Sequence, residues 1–110
     1  MGLFAAGQVV FLTFPFSDLS RNKLRPVLLI ADAGQNDWIC CQITSNPYID
    51  PLAIPLSGSD FVTGGLHHLS YLRPGKLFTA NESLIAADVG AVKTELFQRV
   101  RAGVIAIIGY

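Results

Sequence analysis

Charged residues are scarce in this sequence. Only 15% of its 110 residues are Asp, Glu, Lys or Arg, against about 25% in an average domain, and the eight cations balance the eight anions. A net charge of zero excludes a protein-wide field that draws the chain to nucleic acid, so such a site needs a local cluster. With 51% apolar residues, we expect a partner to cover part of the surface, most simply in an obligate homodimer.

Cysteines and long apolar runs are also few. The two cysteines, Cys40 and Cys41, are adjacent in a predicted strand, where neighbouring side chains point to opposite faces. We therefore expect two buried, reduced thiols in a cytoplasmic protein, with neither a disulfide nor a metal site. No apolar run reaches the ~18 residues of a membrane span, and the apolar N-terminal stretch lacks a basic segment. We expect neither a membrane span nor a signal peptide.

The motifs of several enzyme classes are missing as well. The eight carboxylates are scattered, so they form no acid–base or two-metal pattern, and no Gly-rich phosphate loop or dinucleotide motif occurs. His67 and His68 could supply a general base and a general acid. As neighbours in a predicted strand, however, they would face opposite sides, which disfavours catalysis by either and disfavours a metal site more strongly.

The stretch 24–46 carries the strongest structural signal. Two apolar runs, Val27–Ala31 and Trp38–Ile43, flank a short polar insert at 32–37 that contains glycine and asparagine. Apolar runs of this length around such an insert are typical of an antiparallel β-hairpin.

The register of this hairpin makes a prediction about function. If the turn centres between Gly34 and Gln35, opposed residues have numbers that sum to 69. That register places Arg25 opposite Thr44, nineteen positions away in sequence, at the open end of the hairpin. The Cβ atoms of directly opposed residues lie roughly 4.5–5.5 Å apart.

The remaining sequence predicts short strands and one helix. The strands outside the hairpin are Gln8–Phe14, Leu52–Leu56 as an edge, Leu66–Leu72 continued by Leu77–Thr79, and Asp88–Val92. Phe16–Leu24 and Ser57–Gly65 are predicted loops, and Asn81 is predicted to cap a helical turn over Asn81–Ala87.

The end of the sequence predicts an amphipathic helix over Glu95–Ile108, capped by Thr94. Its apolar residues recur at helical spacing and form one stripe: Leu96, Phe97, Val100, Val104, Ile107 and Ile108. Five to six short strands followed by this helix predict a mainly β protein, a small β-barrel closed by a C-terminal helix, in one domain spanning 1–110.

The Arg25–Thr44 pair suits cleavage of an RNA phosphodiester by its own 2′-hydroxyl. This attack places charge on the non-bridging phosphate oxygens, which a guanidinium grips bidentately and to which a hydroxyl can donate. Ser45 is a second hydroxyl candidate, and the chemistry needs no metal ion. The alternative, which the spacing alone favours, is an ordinary surface arginine beside a threonine at a strand end.

Other residues near the open end of the hairpin are candidates for RNA contacts. Arg21, Lys23 and Arg25 place three cations within five residues, a local positive lobe in a neutral chain, for which a solvated loop is the alternative. Arg73 and Lys76 form a second basic pair, for which a turn with solvated cations is the alternative. The expected RNA-binding residues, including aromatic ones that can stack on bases, are Phe16, Ser20, Arg21, Lys23, Ser45, Asn46, Tyr48, Arg73 and Lys76.

Several segments, in their order, resemble the PemK/MazF family of toxins from type II toxin–antitoxin systems. They are Gly7–Val10, Arg25–Ile30, Gln42–Asn46, Ser70–Thr79 and Val89–Gly90, the last followed by the amphipathic helix. The similarity runs from about Gly7 to Ile108. The chain departs from the family at 17–24, SDLSRNKL, which lacks the glycine pair common before the arginine.

The resemblance implies a dimeric SH3-like barrel with sequence-selective, metal-independent endoribonuclease activity on single-stranded mRNA, and no cofactor. It also implies a cognate antitoxin whose flexible, usually acidic tail occupies the RNA groove. The family's catalytic arginine and threonine correspond to Arg25 and Thr44, and the group that takes the 2′-proton is left unassigned. Two other functions stay open: a CcdB-like toxin that poisons DNA gyrase without enzymatic activity, and an inactive barrel that binds nucleic acid or antitoxin.

Overall fold

The computed structural model describes residues 3–15, 22–47 and 49–109. Seven strands and one α-helix form most of this part of the chain. The strands are β1 (Gln8–Pro15), β2 (Asn22–Gly34), β3 (Asp37–Thr44), β4 (Ile54–Leu56), β5 (Phe61–Gly64), β6 (Ser70–Asn81) and β7 (Ile85–Val92), and the helix is α1 (Thr94–Ile108). Short 3₁₀ turns at Gly58–Asp60 and Glu82–Leu84 precede β5 and β7.

The strands form one curled antiparallel sheet in the order β4-β6-β3-β2-β1-β7-β5, a half-barrel with the helix packed against it. The predicted mainly β barrel with a C-terminal helix is confirmed. Its longest ladders join β2 to both β1 and β3, and β3 to β6. The predicted hairpin therefore lies at the centre of the sheet.

The β2–β3 hairpin confirms the predicted register at its open end and corrects the position of its turn. Val27 pairs with Gln42, so the pair numbers at this end sum to 69, as predicted. The turn consists of Gln35 and Asn36, with φ values of 54° and 65°. Positive φ at both central residues is typical of the two-residue turns that match strand twist. The predicted turn centre, one residue earlier, is wrong.

Two register shifts reconcile the displaced turn with the predicted pairing. The pair numbers sum to 71 at Gly34–Asp37, beside the turn, and to 69 from Leu29–Cys40 towards the open end. Each shift leaves one extra residue in β2, as a β-bulge does. These bulges set which side chains of β2 and β3 oppose each other at the far end.

The core consists of two clusters on opposite faces of β3. Cys41 belongs to the cluster that the helix covers through Leu96 and Val100, whereas Cys40 belongs to the other cluster. Both cysteines are fully buried and unpaired, as the alternation of strand side chains predicts.

The predicted C-terminal helix is confirmed, but only part of its predicted apolar stripe is buried. Leu96 and Val100 are fully buried, but Ile107 and Ile108 at the end of the helix are exposed. The predicted cap at Thr94 is wrong by one residue, because the capping position is Lys93, whose side chain makes no capping hydrogen bond. Two of the six residues of the apolar stripe are therefore left on the surface.

Two predicted segments change their character in the structure. The predicted loop Ser57–Gly65 contains β5, because its last residues pair with β7. The predicted loop Phe16–Leu24 ends early, since β2 already begins at Asn22 and pairs with β1, while residues 16–21 lie outside the described part. In both segments the polar composition predicted a loop, but pairing with an adjacent strand makes part of the segment a β-strand.

Two further predictions at the sheet's margins are confirmed. β4 lies at the edge of the sheet and contains Pro55, which cannot donate to a second neighbour. The Asn81 side chain accepts a hydrogen bond from the Ser83 amide at 3.0 Å and caps the turn that follows. That turn is short, so Ile85–Ala87 belongs to β7 instead of to the predicted helical segment.

β5 and β7 lie close together at Gly64 and Gly90, which are paired. A Cβ atom on Gly64 would overlap the carbonyl oxygen of Val89, and one on Gly90 would overlap that of Thr63. Glycine is therefore required at both positions by close backbone packing as well as by positive φ.

We predict that Gly90→Ala lowers the free energy of unfolding by about 2 kcal/mol more than Gly65→Ala does. The two glycines form a matched pair, with φ values of 154° and 155°, but nothing lies within 4 Å of a Cβ on Gly65. The difference between the variants therefore isolates the backbone overlap. Urea unfolding monitored by circular dichroism measures it, and equal losses would contradict the prediction.

The two thiols are predicted to be inert in the folded protein. Burial raises the pKa of Cys40 to about 11 and that of Cys41 to about 12. Because the thiolate is the reactive form, a thiol reagent at pH 8 should label neither residue on the timescale of minutes and should label both in urea. Mass spectrometry counts the adducts, and rapid labelling of the native protein would contradict this account.

Candidate active site

A groove of about 600 Å³ lies at the open end of the β2–β3 hairpin. Five segments form its walls: Phe11 and Phe14 of β1, 24–27 of β2, 42–46 at the end of β3, 66–70 at the approach to β6 (except Leu69), and 76–78 within β6. We refer to this space as the groove.

Arg25 and Thr44 both line the groove. The paired register between β2 and β3 ends at Val27–Gln42, and if it is continued by two residues it would set Arg25 opposite Thr44. On its other side, Arg25 pairs with Leu12 of β1, which holds this part of β2 in the sheet. The Arg25 side chain is exposed, so the groove offers a guanidinium that a ligand can reach.

The Thr44 hydroxyl is held at the end of β3 by a local turn. Its Oγ1 accepts a hydrogen bond from the backbone amide of Asn46 at 3.1 Å. A hydroxyl carries one proton and two acceptor lone pairs, so this contact leaves the proton to be donated elsewhere. The arrangement suits a hydroxyl that donates to a phosphate oxygen.

The groove is positive although the chain is neutral. The charged side chains among its described lining residues are Arg25 and Lys76, and no carboxylate is among them. His67 and His68 also line it. Separating the cations from the anions in this way creates the local field that the total charge of the chain does not provide.

The predicted RNA-binding residues divide into three groups. Ser45, Asn46 and Lys76 line the groove. Lys23, which is exposed on β2, and Arg73, on β6, do not line it. Four of the predicted residues lie outside the part that the structure describes: Phe16, Ser20, Arg21 and Tyr48.

Arg73 takes part in a hydrogen-bond network beside the groove, on the same face of the sheet as its strand partner Gln42. Its Nε donates to Asp50 Oδ2 at 2.9 Å and its Nη1 donates to Gln42 Oε1 at 3.3 Å. The side chains of Arg73 and Asp50 are only 16% and 13% exposed. This placement favours a role in holding the site together over a direct contact with RNA.

Gln42 is a groove residue that the sequence reasoning missed. It lies two positions before Thr44 on β3, hence on the same face, and this spacing was the available signal. Arg73 occupies the amide oxygen of Gln42, which leaves the amide NH₂ group as a donor. Phe78 was not predicted either, and its ring meets that of Phe14 edge to face with centroids 5.6 Å apart at the groove wall.

The prediction that His67 and His68 face opposite sides of a strand is wrong. β6 begins only at Ser70, so both histidines lie in an irregular turn, and both are exposed and line the groove. Strand alternation does not apply to them. The structure thus brings two imidazoles to the space that holds Arg25 and Thr44.

Neither a metal cluster nor a membrane helix is found in the described residues. No group of three or more His, Cys, Asp and Glu side chains within 3–15, 22–47 and 49–109 is arranged to hold a metal ion. The helix in this part of the chain is too short to cross a bilayer.

Comparison with known proteins decides the family. The model of the PemK-like, MazF-like toxin of type II toxin–antitoxin systems matches residues 5–108. This chain belongs to the PemK/MazF family of toxins. None of the curated proteins compared matches it by sequence.

The structures similar to this PemK/MazF toxin share its whole fold at low sequence identity. MazF in a MazE–MazF complex from Deinococcus radiodurans superposes with a TM-score of 0.77 at 18% identity, covering 99% of this chain and 98% of that one. An endoribonuclease in complex with its cognate antitoxin, from a mycobacterial species, gives 0.74 at 16%, covering 99% and 96%. The Mycobacterium tuberculosis toxin MazF-mt6 gives 0.71 at 12%, covering 92% and 95%.

We predict that the Asp50–Arg73 pair makes the free energy of unfolding of this toxin vary with pH in the acid range. The hydrogen bond from Arg73, followed by that from the Leu52 amide, lowers the pKa of Asp50. A carboxylate with a lowered pKa stabilises the folded state above its unfolded value of about 3.9, and this contribution is lost as the pH falls through the folded pKa. Asp50→Asn should therefore lower the free energy of unfolding at pH 7, and the difference from wild type should shrink below pH 4.

Urea titrations between pH 2 and 7 test this prediction, with Asp88→Asn, at an exposed carboxylate on β7, as the matched control. A difference between wild type and Asp50→Asn that stays constant over this range would contradict it.

Proposed function

We propose that this toxin is an endoribonuclease that cleaves single-stranded mRNA in the groove by attack of a 2′-hydroxyl on the adjacent phosphate. Its family is one of toxins, and proteins of the same fold include endoribonucleases. The observation that carries the proposal is the presence of Arg25 and Thr44 in one positive groove. The products would be a 2′,3′-cyclic phosphate and a 5′-hydroxyl.

In this proposal, Arg25 and Thr44 bind the phosphate as its charge grows. The planar guanidinium of Arg25 can donate two parallel hydrogen bonds to the non-bridging oxygens. The Thr44 hydroxyl donates to the same oxygens, while the Asn46 amide holds its position. Donors that strengthen as charge develops are each worth about 10²–10³ in rate.

The polar and aromatic groove residues are the candidates for choosing the RNA sequence. Amide groups such as those of Gln42 and Asn46 can hydrogen-bond to base edges, and the rings of Phe14 and Phe78 offer apolar surface against which a base can stack. Lys76 adds a phosphate contact. Selectivity would then come from the groove walls, whereas rate would come from the Arg25–Thr44 pair.

The same proposal accounts for the partners. A groove lined by cations suits the acidic tail of a cognate antitoxin, which would compete directly with RNA, and the similar structures include toxins bound to their antitoxins. The exposed apolar end of the helix at Ile107–Ile108, with the low charge of the chain, suits a homodimer. An mRNA substrate and two buried free thiols are consistent with a cytoplasmic protein.

We predict that Arg25→Ala lowers the rate of RNA cleavage by at least ~10²-fold without unfolding the protein. Arg25 is exposed, so its loss removes a phosphate contact and not core packing. Thr44→Val should also lower the rate, whereas Thr44→Ser, which keeps the hydroxyl, should retain most of it. Single-turnover cleavage of labelled mixed-sequence RNA in excess EDTA measures these rates.

The matched control is Arg101→Ala, which removes an exposed cation from the helix and should leave the rate unchanged. Cleavage by Arg25→Ala at the wild-type rate would remove the site assignment. A wild-type protein that leaves RNA intact but inhibits DNA gyrase would replace the proposal with the CcdB-like function.

A further inference from the structure

Cleavage by 2′-hydroxyl attack needs a group that takes the 2′-proton, and the Arg25–Thr44 pair does not offer one. A guanidinium keeps its proton at any physiological pH, and a threonine hydroxyl is a weak base. We propose, resting on the function above, that His67 and His68 carry the proton transfers of RNA cleavage, one as general base and the other as general acid.

The position of the two histidines supports this role. Both side chains are exposed and both line the groove that contains Arg25 and Thr44. Pairing of β3 with β6 sets Thr44 beside Tyr71, so the turn that leads into β6 lies next to the end of β3. His68 precedes Tyr71 by three residues, a contour length of at most about 11 Å.

The backbone around the histidines is fixed at both ends. Before them, the Gly65 amide donates to the Val89 carbonyl at 3.2 Å, and Leu66 packs against the core cluster that the helix covers. After them, the Ser70 hydroxyl donates to the carbonyl oxygen of His68 at 3.1 Å. A turn held in this way can present both imidazoles to the groove from a defined backbone.

Imidazole suits this chemistry because it is the side chain that exchanges a proton near neutral pH. In the proposed step, the neutral imidazole of one histidine takes the proton of the 2′-hydroxyl while the O2′–P bond forms. The P–O5′ bond breaks, and the protonated imidazole of the other histidine gives its proton to the leaving 5′-oxygen. The charged groups that line the same groove are Arg25 of β2 and Lys76 of β6.

The test compares wild type with His67→Gln, His68→Gln and the double variant, in single-turnover cleavage at saturating RNA, in EDTA, from pH 5 to 9. These are the only two histidines of the chain, so a protein without a histidine tag contains no other imidazole. We expect the double variant and at least one single variant to lose ~10²-fold in rate, with RNA affinity changed less than ~3-fold. The pH–rate profile of each impaired variant should also lose the limb that the substituted group produces in wild type.

A modified linkage assigns the two roles. An RNA with sulfur in place of the bridging 5′-oxygen at the mapped cleavage site has a leaving group that needs no acid. Substitution of the acid should then cost little, whereas substitution of the base should cost as much as before. Leu69→Gln is the matched control, because Leu69 is exposed in the same turn but does not line the groove, and its rate should equal that of wild type.

A double variant that cleaves within ~3-fold of the wild-type rate, or that loses only RNA affinity, would overturn this inference and leave the proposed function standing. A wild-type protein that does not cleave RNA would overturn both.

Discussion

The register of the β2–β3 hairpin is the constraint on which this site depends. A shift of one residue moves every side chain of a strand to the other face, so a shifted β2 would turn Arg25 away from Thr44. The register at the open end does not follow from the turn alone, because two bulges lie between them. Pairing of β2 with β1 and of β3 with β6 holds the strands in this alignment.

The two faces of the sheet have different surroundings: one packs against the helix, and the other continues into the groove. Cys41 and the other residues of its core cluster face the helix, which covers them with Leu96 and Val100. On the other face, the second core cluster continues into the groove, where Phe14 and Phe78 form part of the wall. The apolar residues of that cluster support the groove, and Arg73, itself bound to Asp50, donates a hydrogen bond to Gln42. One face of the sheet therefore packs against the helix, whereas the other contributes both a core cluster and the groove.

Elements defined by a local pattern were predictable from sequence. The central hairpin, the helix from Glu95 onward and the Asn81 cap each depend on residues close together in the chain, and each is confirmed. The register of 69 was predicted correctly from an incorrect turn, because the two bulges restored the alignment that the displaced turn removed. A pattern of apolar residues contains no direct signal for such bulges.

Elements fixed by distant partners were not predictable in the same way. β5 forms because Gly64 can approach Gly90, a contact between segments 26 residues apart that composition does not reveal. His67 and His68 were set aside on strand alternation, yet β6 starts after them, and their turn is held by Ser70 and by Leu66 in the core. Arg73 was predicted to form a basic pair with Lys76, but its guanidinium forms a salt bridge with Asp50, 23 residues earlier in the chain.

The central claim is that Arg25 and Thr44 act on one phosphate, and a double-mutant cycle tests it most directly. Single-turnover rates of wild type, Arg25→Ala, Thr44→Val and the double variant give the coupling between the two side chains. If both bind the same phosphate, the double variant should lose far less than the product of the two single losses. Losses that multiply would show that the two residues act independently, and would contradict the account.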